Sequence, residues 1–514
     1  MATSDIAHGH GVAYDHGLSN TAIVAGLAAL AAALHVLTPI NHDEAVFIEG
    51  AGRLLDGSQF GRDVIDMNPP LIWWISAVPV WLARQVGARI EIVATVFMAS
   101  MAALSLVAVN RLIEADSSVG LPRRALLPIA AILVLFVPGY NFGQREHWAV
   151  LLTLPYVVAR SQRVDGAMLS TAAGTVIGFA ACLGFCIKPH FLLVPISIEI
   201  WLLARTRRPS LWICPETIAM AVTGVAYLGL TLDYAPYLER ELTNVLLGFW
   251  SYNGTMPEVL LGTVTLLAPA AVLALFGYAA RRRGEPIPAL GQAFAVAGTA
   301  YLVAALMQMR PWPYHFLPSV VFFGLAAVVL LITGTPRTGT NTIRLAAFAI
   351  LIAMGFLPSA AEAVRSFEDG GTTSRIDQLA AVFRANPGPN RTVFGFITSP
   401  NDVFPAVIAA GMKWAAPFCC EYLIAAAVRA DEAPAADRPA IRAAALDQAN
   451  TAVSAVLAQE PGVIVMATGD HMLGFNKREF SYLEWLNANT SMASILAHYR
   501  EINPIGSFRV FVRM

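Results

Sequence analysis

The chain has 514 residues, of which 56% are apolar and only 13% are charged, and its formal net charge is −1. An average soluble domain carries about 25% charged residues, so this chain has too few charges to cover a surface exposed to water. The near-neutral net charge gives no indication of a nucleic-acid partner, and the composition instead predicts an integral membrane protein.

Apolar stretches in the first 358 residues predict a multi-pass α-helical membrane domain with roughly 11–13 transmembrane helices. They lie near 21–38, 71–86, 91–112, 125–138, 148–159, 168–187, 191–204, 211–232, 258–279, 288–307, 317–333 and 342–358. The polar leader, 1–20, lacks the basic region and small-residue cleavage site of a signal peptide. We therefore interpret 21–38 as a retained helix.

Arginine clusters in the short loops predict which side of the membrane each loop faces. The clusters are Arg111 with Arg123 and Arg124, Arg160 with Arg163, Arg205 with Arg207 and Arg208, Arg281 to Arg283, and Arg337 with Arg344. The segments on the opposite side are 139–147, 188–190, 233–257 and 308–316. Because positive loops stay in the cytoplasm, this alternation places the C-terminal part of the chain outside it.

The first three apolar stretches conflict with a cytoplasmic leader, because three crossings would put the Arg111–Arg124 loop outside. Either 71–86, which Pro79 interrupts, lies along the outer surface, or the leader itself is outside. We favour the first interpretation.

Residues 359–514 have the composition of a soluble domain. Short apolar runs at 392–397, 462–467 and 508–512 predict buried strands, and the Ala-rich segment 417–459 predicts helix. This is a C-terminal soluble α/β domain of ordinary size on the extracytoplasmic side. Its adjacent Cys419 and Cys420 are a candidate disulfide that nothing else in the sequence supports.

Polar residues gather in four places on the predicted outer face. They are the first outer loop, 39–70, with Asn41-His42-Asp43-Glu44, Arg62, Asp66 and Asn68; then Gly143 to His147; Lys188 to Phe191; and Arg310 to Phe316. Ionisable residues at membrane depth are costly, so such clusters are functional hypotheses. The plainer interpretation, that interfacial loops are polar anyway, weakens when four clusters share one face.

Residues 40–75 contain three short motifs followed by a Trp-rich helix: Asp43-Glu44, Gly52-Arg53-Leu54-Leu55-Asp56-Gly57 and Asp66-Met67-Asn68-Pro69-Pro70-Leu71. Together they resemble the glycosyltransferase C superfamily, which includes protein O-mannosyltransferases, aminoarabinose transferases and arabinosyltransferases. Weaker similarity covers Arg145-Glu146-His147, Lys188-Pro189-His190 and Tyr314-His315-Phe316-Leu317-Pro318. Glu146 stands where many relatives have aspartate.

The resemblance implies an inverting glycosyltransferase of the bacterial inner membrane, with its active site on the extracytoplasmic face. Its donor would be a polyprenyl-phosphate sugar, and its acceptor a glycan, a lipid or a protein, with membrane lipids around the site. Such a transfer needs a carboxylate to deprotonate the acceptor hydroxyl. The phosphate leaving group needs positive charge but no proton.

On this logic Asp43 is the predicted general base, and Glu44 beside it orients the site or caps a helix. Glu146 is the second candidate, as an acceptor-orienting carboxylate. A structural alternative for Asp43 is the N-cap of a helix running into 45–55, and for Glu146 a salt bridge to Arg145. No cofactor is certain, and a divalent metal ion bound by Asp43 and Glu146 stays open.

Four basic residues are the predicted donor-phosphate binders: Lys188, His190, Arg310 and His315. For Lys188 and Arg310 the structural alternative is that the side chain snorkels to the membrane interface. For His190 and His315 it is a loop histidine whose hydrogen bonds the protein already satisfies. The predicted substrate-lining residues are Arg62, Asp66, Asn68, Arg145, His147 and Tyr314.

Two other classes of function remain open. One is a flippase or polymerase of lipid-linked oligosaccharides, which shares the donor but lacks the Asp-Glu and Asn-Pro-Pro signature. The other is a secondary transporter, in which charges sit near the midplane on broken helices, often in repeated halves. Here the charges fall at helix ends, and no repeat is visible.

Overall fold

The computed structural model describes residues 16–115, 123–333, 344–351, 353, 372–469 and 472–514. Most of the predicted leader, Arg337 and the predicted boundary at 358–359 lie outside these residues.

Helices make up most of the described chain before residue 334. They are α1 (His16–Val36), α2 (His42–Leu55), α3 (Leu71–Val86), α4 (Ile90–Ala115), α5 (Arg123–Leu135), α6 (Arg145–Gln162), α7 (Thr171–Cys186), α8 (Leu193–Thr206), α9 (Pro215–Thr231), α10 (Ala235–Gly248), α11 (Met256–Gly262), α12 (Leu267–Arg282), α13 (Ala289–Leu306) and α14 (Leu317–Thr333). Short 3-10 helices at Gly139–Asn141, Pro189–Leu192 and Pro313–Phe316 precede α6, α8 and α14. Residues 344–351 are also helical.

Every predicted apolar stretch overlaps a helix, but two helices fall outside those stretches. α2 and α10 each carry acidic and basic side chains, so neither forms a continuous apolar run. The predicted helix 258–279 is divided by a 3-10 turn, Thr263–Leu266. Pro269 accounts for the division, because its ring lacks an N–H and clashes with the carbonyl four residues earlier.

Among the described residues, four helical segments are long and apolar enough to cross a membrane, judged by length and composition. They are Ile90–Glu114, Pro215–Tyr252, Ala289–Leu306 and Pro313–Thr333. Shorter apolar helices lie at Asn20–Val36, Leu71–Val86, Leu126–Leu135 and Thr171–Cys186. The larger number of crossings that the sequence predicts stays a prediction.

Two of the arginines predicted in an inner loop are fully buried and paired. Arg160 Nη1 lies 3.0 Å from Glu216 Oε1, and Arg163 Nη2 lies 2.8 Å from Glu216 Oε2. Close packing of α7 on α9 brings Glu216 there, because a Cβ on Gly178 would meet the Glu216 carbonyl oxygen at 2.1 Å. Each buried charge therefore has a counter-charge, as a buried ion requires.

The C-terminal part contains a five-stranded sheet. Its elements are α15 (Thr372–Ala385), β1 (Thr392–Phe396), α16 (Val403–Ala410), β2 (Lys413–Trp414), α17 (Tyr422–Val428), α18 (Arg438–Gln459), β3 (Val463–Ala467), α19 (Tyr482–Asn489), α20 (Met492–Leu496), β4 (Tyr499–Ile505) and β5 (Phe508–Arg513). The strand order is β2-β1-β3-β5-β4, and the sequence predicts three of these strands, β1, β3 and β5. β2, β1 and β3 are parallel, whereas β5 runs antiparallel to both β3 and β4.

The sheet domain rests directly on the helical part. Trp414 donates its backbone N–H to Glu49 Oε1 at 2.9 Å, and Arg53 donates to the Ala416 carbonyl at 2.9 Å. On another side, the Tyr252 hydroxyl donates to the Thr398 carbonyl at 2.7 Å. These contacts leave a cavity between the helices and the loops that follow β1 and β2.

Candidate active site

A cavity of about 1250 Å³ lies between the helical part and the C-terminal domain. Loops and helix ends of the helical part contribute His42, Asp43, Asp66, Asn68, Arg145, Lys188, His190, Arg310, Tyr314 and His315 to its wall. The C-terminal domain contributes Thr398 to Asn401 and Phe418 to Cys420. The structure thus brings all four predicted polar clusters to one cavity.

Asp43 lies in the first turn of α2 and reaches the cavity with 16% of its side chain exposed. Asn41 is the N-cap of this helix, because its side chain accepts the backbone N–H of Asp43 at 2.9 Å. The structural alternative of Asp43 as the N-cap is therefore wrong. The Asp43 carboxylate is left to face Arg145 Nη2 at 3.1 Å and His42 Nε2 at 3.6 Å.

The electrostatic surroundings keep Asp43 ionised at neutral pH. Burial raises the pKa of its carboxyl, but His42, Arg145 and Lys188 outweigh burial and lower the pKa below its ordinary value. A carboxylate in this state can accept a hydrogen bond, and a proton, from a hydroxyl group placed in the cavity.

The Asp66-Met67-Asn68 segment holds Arg145 in place. Asp66 Oδ1 accepts the backbone N–H of Asn68 at 2.6 Å and also the Asn68 side-chain amide. Asn68 Oδ1 in turn accepts from Arg145 Nη1. The Asp66-Met67-Asn68 segment, between α2 and α3, therefore supports Arg145, the cation that contacts Asp43.

Glu146 is fully buried and forms an ion pair with Lys188, whose Nζ lies 2.5 Å from Glu146 Oε1. His315 Nε2 lies 4.0 Å from the same oxygen. The salt bridge between Glu146 and Arg145 that the sequence suggested is not observed, because Arg145 contacts Asp43 and Asn68 instead. Burial lowers the pKa of Lys188 to about 8, against the opposing effect of Glu146.

Arg310 differs from the other cations of the cavity in having no carboxylate partner among the described residues. Its Nη2 donates to the Phe249 carbonyl at 2.8 Å, and its guanidinium lies 4.4 Å from the centre of the Phe249 ring. Its Nη1 is buried and has no hydrogen-bond partner. Burial lowers the pKa of Arg310 to about 10, so the group remains charged at neutral pH.

The two predicted phosphate-binding histidines also present ring nitrogens that lack a protein partner. These atoms are His190 Nε2 and His315 Nδ1, both buried. Burial lowers the pKa of His190 to about 3, so this imidazole is neutral and offers a hydrogen bond without a charge. Tyr314 stacks on Trp312 and packs edge-on against His315.

Glu44 packs against Gly143 and is not part of the cavity wall. A Cβ on Gly143 would meet Glu44 Oε2 at 2.2 Å, and the backbone φ of Gly143 is +88°. Burial raises the pKa of Glu44 to about 8. At neutral pH Glu44 is therefore mostly protonated, which makes it unsuited to accept a proton.

Two predicted lining residues do not line the cavity. Arg62 has a side chain that is 67% exposed and pairs with its neighbour Asp63 at 2.7 Å. His147 is fully buried, where it accepts the Gly143 N–H at 3.3 Å and bonds to the Val134 carbonyl at 2.9 Å. Helix periodicity explains the second case, because His147 lies two residues after Arg145 and faces the opposite side of α6.

Sequence reasoning missed the partners that fix His42 and the contribution of the C-terminal loops. The Tyr140 hydroxyl lies 3.0 Å from His42 Nδ1 and accepts the His42 backbone N–H at 3.2 Å. The loops 398–401 and 418–420 follow parallel strands, and the carboxyl ends of such strands are where α/β sheets bind ligands. In the sequence, only this topological rule, applied to the predicted strand 392–397, would have indicated that the loop 398–401 lines a binding site.

The residues present do not fit the metal site that the sequence left open. Within the described residues, no group of three or more His, Cys, Asp or Glu side chains is arranged to hold an ion. The two candidate ligands are instead neutralised by basic side chains, Asp43 by Arg145 and Glu146 by Lys188.

The chain has the fold of ArnT from Cupriavidus metallidurans. The crystal structure of ArnT bound to undecaprenyl phosphate matches with a TM-score of 0.60 at 14% identity, covering 97% of this chain and 98% of that one. The apo structure of ArnT gives a TM-score of 0.59 with the same identity and coverage. At this identity the likeness shows a shared fold, which agrees with the fold that the resemblance of residues 40–75 implies.

A cryo-EM structure of the arabinofuranosyltransferase AftD from Mycobacteria matches with a TM-score of 0.45 at 15% identity, covering 95% of this chain and 40% of that one. No protein-family model matches the sequence, and no curated protein matches it significantly.

Proposed function

We propose that this chain, which shares the fold of ArnT, is a membrane glycosyltransferase that takes a sugar from a polyprenyl-phosphate donor. The observation that carries the proposal is the cavity wall. It combines one ionised carboxylate, Asp43, with cations from three separate segments of the chain, Arg145, Lys188 and Arg310. ArnT binds undecaprenyl phosphate, a lipid of this class.

In the proposed reaction Asp43 is the general base. The acceptor hydroxyl donates its proton to the Asp43 carboxylate while its oxygen attacks the anomeric carbon of the donor sugar. The bond from that carbon to the phosphate oxygen breaks, and the polyprenyl phosphate leaves with its electron pair. Attack opposite the leaving group inverts the anomeric configuration. A second carboxylate is unnecessary, because phosphate leaves without protonation.

Arg310 is the principal phosphate ligand in this proposal, and Lys188 and the two histidines assist it. Its Nη1 is a buried donor with no protein partner, and leaving such a donor unpaired costs about 1–3 kcal/mol. A phosphate oxygen would satisfy it with a charge-assisted hydrogen bond. Lys188 shares its charge with Glu146, so its contribution is smaller.

The prenyl tail has a candidate path beside this site. An apolar groove of about 360 Å³ lies between α8 and α13, lined by residues that include Leu193, Ala300 and Val303. α8 begins directly after the 3-10 helix that carries His190, so the groove starts near the proposed phosphate site. A prenyl chain in this groove would contact apolar side chains of α8 and α13 in place of bilayer lipid.

The proposed setting is the inner membrane of a bacterium, with the helical part as a multi-pass domain and the cavity and C-terminal domain on the extracytoplasmic side. The acceptor would meet Asp43 from the side of the C-terminal domain, whose loops form the opposite wall. Reporter fusions at Met514 should be active outside the cytoplasm, and cytoplasmic activity would contradict this orientation.

The direct test is turnover of a radiolabelled polyprenyl-phosphate sugar by the purified protein. We expect release of the sugar, by transfer or by slow transfer to water, and tight binding of undecaprenyl phosphate. A flippase would instead bind the lipid-linked donor without cleaving it. The same protein in proteoliposomes would then move the lipid across the bilayer.

A further inference from the structure

The wall of the cavity that faces Asp43 contains two adjacent thiols. Cys419 and Cys420 lie on the loop between β2 and α17, and both line the cavity. Both are free cysteines, and their Sγ atoms are 2.7 Å apart. The proposed transfer reaction uses neither thiol.

Adjacent cysteines can bridge, but only in a strained ring. Cα atoms joined by a trans peptide are about 3.8 Å apart, whereas disulfides usually span about 4.4–6.8 Å. Strain of this kind makes a disulfide easier to reduce, and strained disulfides are the labile and regulatory ones. A bridge here would therefore form and open reversibly.

We propose that Cys419 and Cys420 are an oxidation site that closes to a reversible intrachain disulfide by exchange with a disulfide-bearing oxidant. The thiolate of one cysteine attacks the disulfide of the oxidant and expels one thiolate, which takes up a proton. The second cysteine then attacks the mixed disulfide and expels the other thiol. Two protein thiols and one oxidant disulfide become one ring disulfide and two oxidant thiols.

The loop that carries the pair is tied to the proposed catalytic residues. Pro417, two residues before Cys419, accepts the backbone N–H of Ile65 at 2.6 Å, and Ile65 directly precedes Asp66. On the other side, Gln448 Nε2 donates to the Cys420 carbonyl at 3.3 Å. Ring closure must change the peptide geometry between these two anchors, and so it acts on the segment that supports Arg145 and, through it, Asp43.

A second pair of cysteines in the chain serves as an internal control. Cys182 and Cys186 lie one turn apart on α7, with Sγ atoms 3.7 Å apart. Neither lines the cavity, so a dissolved oxidant has no comparable route to them through that space. The expectation that Cys419 and Cys420 meet an oxidant in the cell rests on the proposed extracytoplasmic location. The exchange chemistry itself does not depend on that location.

The test uses the full chain in detergent, exposed to oxidised glutathione, blocked with N-ethylmaleimide and mapped by mass spectrometry. We expect the peptide with Cys419 and Cys420 to lose two hydrogen atoms and to escape alkylation, and reduced glutathione to restore both thiols. Cys419→Ser and Cys420→Ser should not form the ring, and the peptide with Cys182 and Cys186 should remain alkylated.

Two results would overturn the proposal: full alkylation of both thiols in the oxidised wild type, or a stable glutathione adduct on one cysteine without ring closure. These readouts do not depend on glycosyl transfer, so they stand apart from the proposed function. Donor turnover adds a separate arm. We expect oxidation to change the rate in wild type and not in Cys419→Ser, and equal rates in both states of wild type would overturn the coupling to Asp43.

Discussion

Arg145 contacts Asp43 across 3.1 Å, although the two residues are 102 positions apart in the chain. The same guanidinium donates to Asn68, so one cation joins the first turn of α2, the Asn-Pro-Pro segment and the start of α6. Its position both orients the Asp43 carboxylate and favours its ionised form.

Replacing Arg310 with Ala should weaken use of the lipid donor more than any other loss of a single cation from the cavity. A hydrogen bond to a charged group is worth about 1.5–3 kcal/mol, which corresponds to a loss of about tenfold to a hundredfold in donor affinity. Lys188→Ala should have a smaller effect, because Glu146 already engages that ammonium. Titration of each variant with undecaprenyl phosphate measures both effects.

Arg240→Ala is the matched control for these two variants. Arg240 also lines the cavity, but its side chain is exposed and lies 3.3 Å from Glu241. Its loss should leave the affinity for the donor unchanged. If Arg310→Ala and Lys188→Ala both bound undecaprenyl phosphate with wild-type affinity, neither residue would be a ligand of the donor phosphate.

Glu146→Gln should destabilise the protein, because it leaves the buried Lys188 ammonium without its counter-charge. Breaking a buried pair from one side costs about 3–5 kcal/mol, whereas removing both charges is far less costly. The double variant Glu146→Gln with Lys188→Met should therefore unfold at a higher temperature than Glu146→Gln alone. Thermal unfolding in one detergent at one scan rate gives the comparison, and equal midpoints for the two variants would refute the ion-pair account.

Glu44→Gln should retain most of the transfer activity at pH 7, since Gln resembles the protonated acid that burial favours at this position. The folded-state pKa of about 8 lies above the ordinary value of 4.5. Between these values the folded protein keeps a proton that the unfolded chain releases, so wild-type stability should fall as pH rises from 5 to 8. The Gln variant should lack this component. A variant whose unfolding midpoint follows the same pH dependence as wild type would show that Glu44 ionises normally.

Thr299→Trp should reduce use of the lipid-linked donor by filling the groove between α8 and α13. Thr299 lines this groove from an exposed position, so the larger ring occupies the groove without entering the core. Val225→Trp, at a position on α9 that is 72% exposed, is the control for a bulky residue on an apolar helix surface. Equal donor affinity in the two variants would mean that the tail lies elsewhere.

The sequence was sufficient for the helices and for the clusters that meet at the cavity, because both depend on local patterns. Apolar runs predict helices, and a proline at a helix end, as in Lys188-Pro189-His190, indicates that the helix stops there. Apolar runs did not indicate α2 or α10, because charged residues interrupt both helices. A helix over 45–55 entered only as the structural alternative for Asp43.

Pairing between distant residues could not be predicted from local patterns. Arg145 precedes Glu146 in the chain, and the sequence suggested a salt bridge between them, yet successive residues on a helix point in different directions. Arg145 instead reaches Asp43, and Glu146 reaches Lys188. Likewise, nothing in the sequence shows that Cys419 faces the same cavity as Asp43, because that depends on how the sheet domain packs on α2.

The central claim is that Asp43 accepts the proton of the acceptor, and Asp43→Asn tests it most directly. Asn preserves the size of the side chain, and the helix keeps its N-cap at Asn41, so the protein should fold and bind undecaprenyl phosphate. Transfer should fall by about 10²–10⁴-fold, the usual contribution of a general base. Glu146→Gln, assayed below its unfolding temperature, is the companion variant, and a loss of transfer only there would move the base to Glu146. Retention of more than about a tenth of wild-type transfer by Asp43→Asn, far above what loss of a general base leaves, would contradict the account.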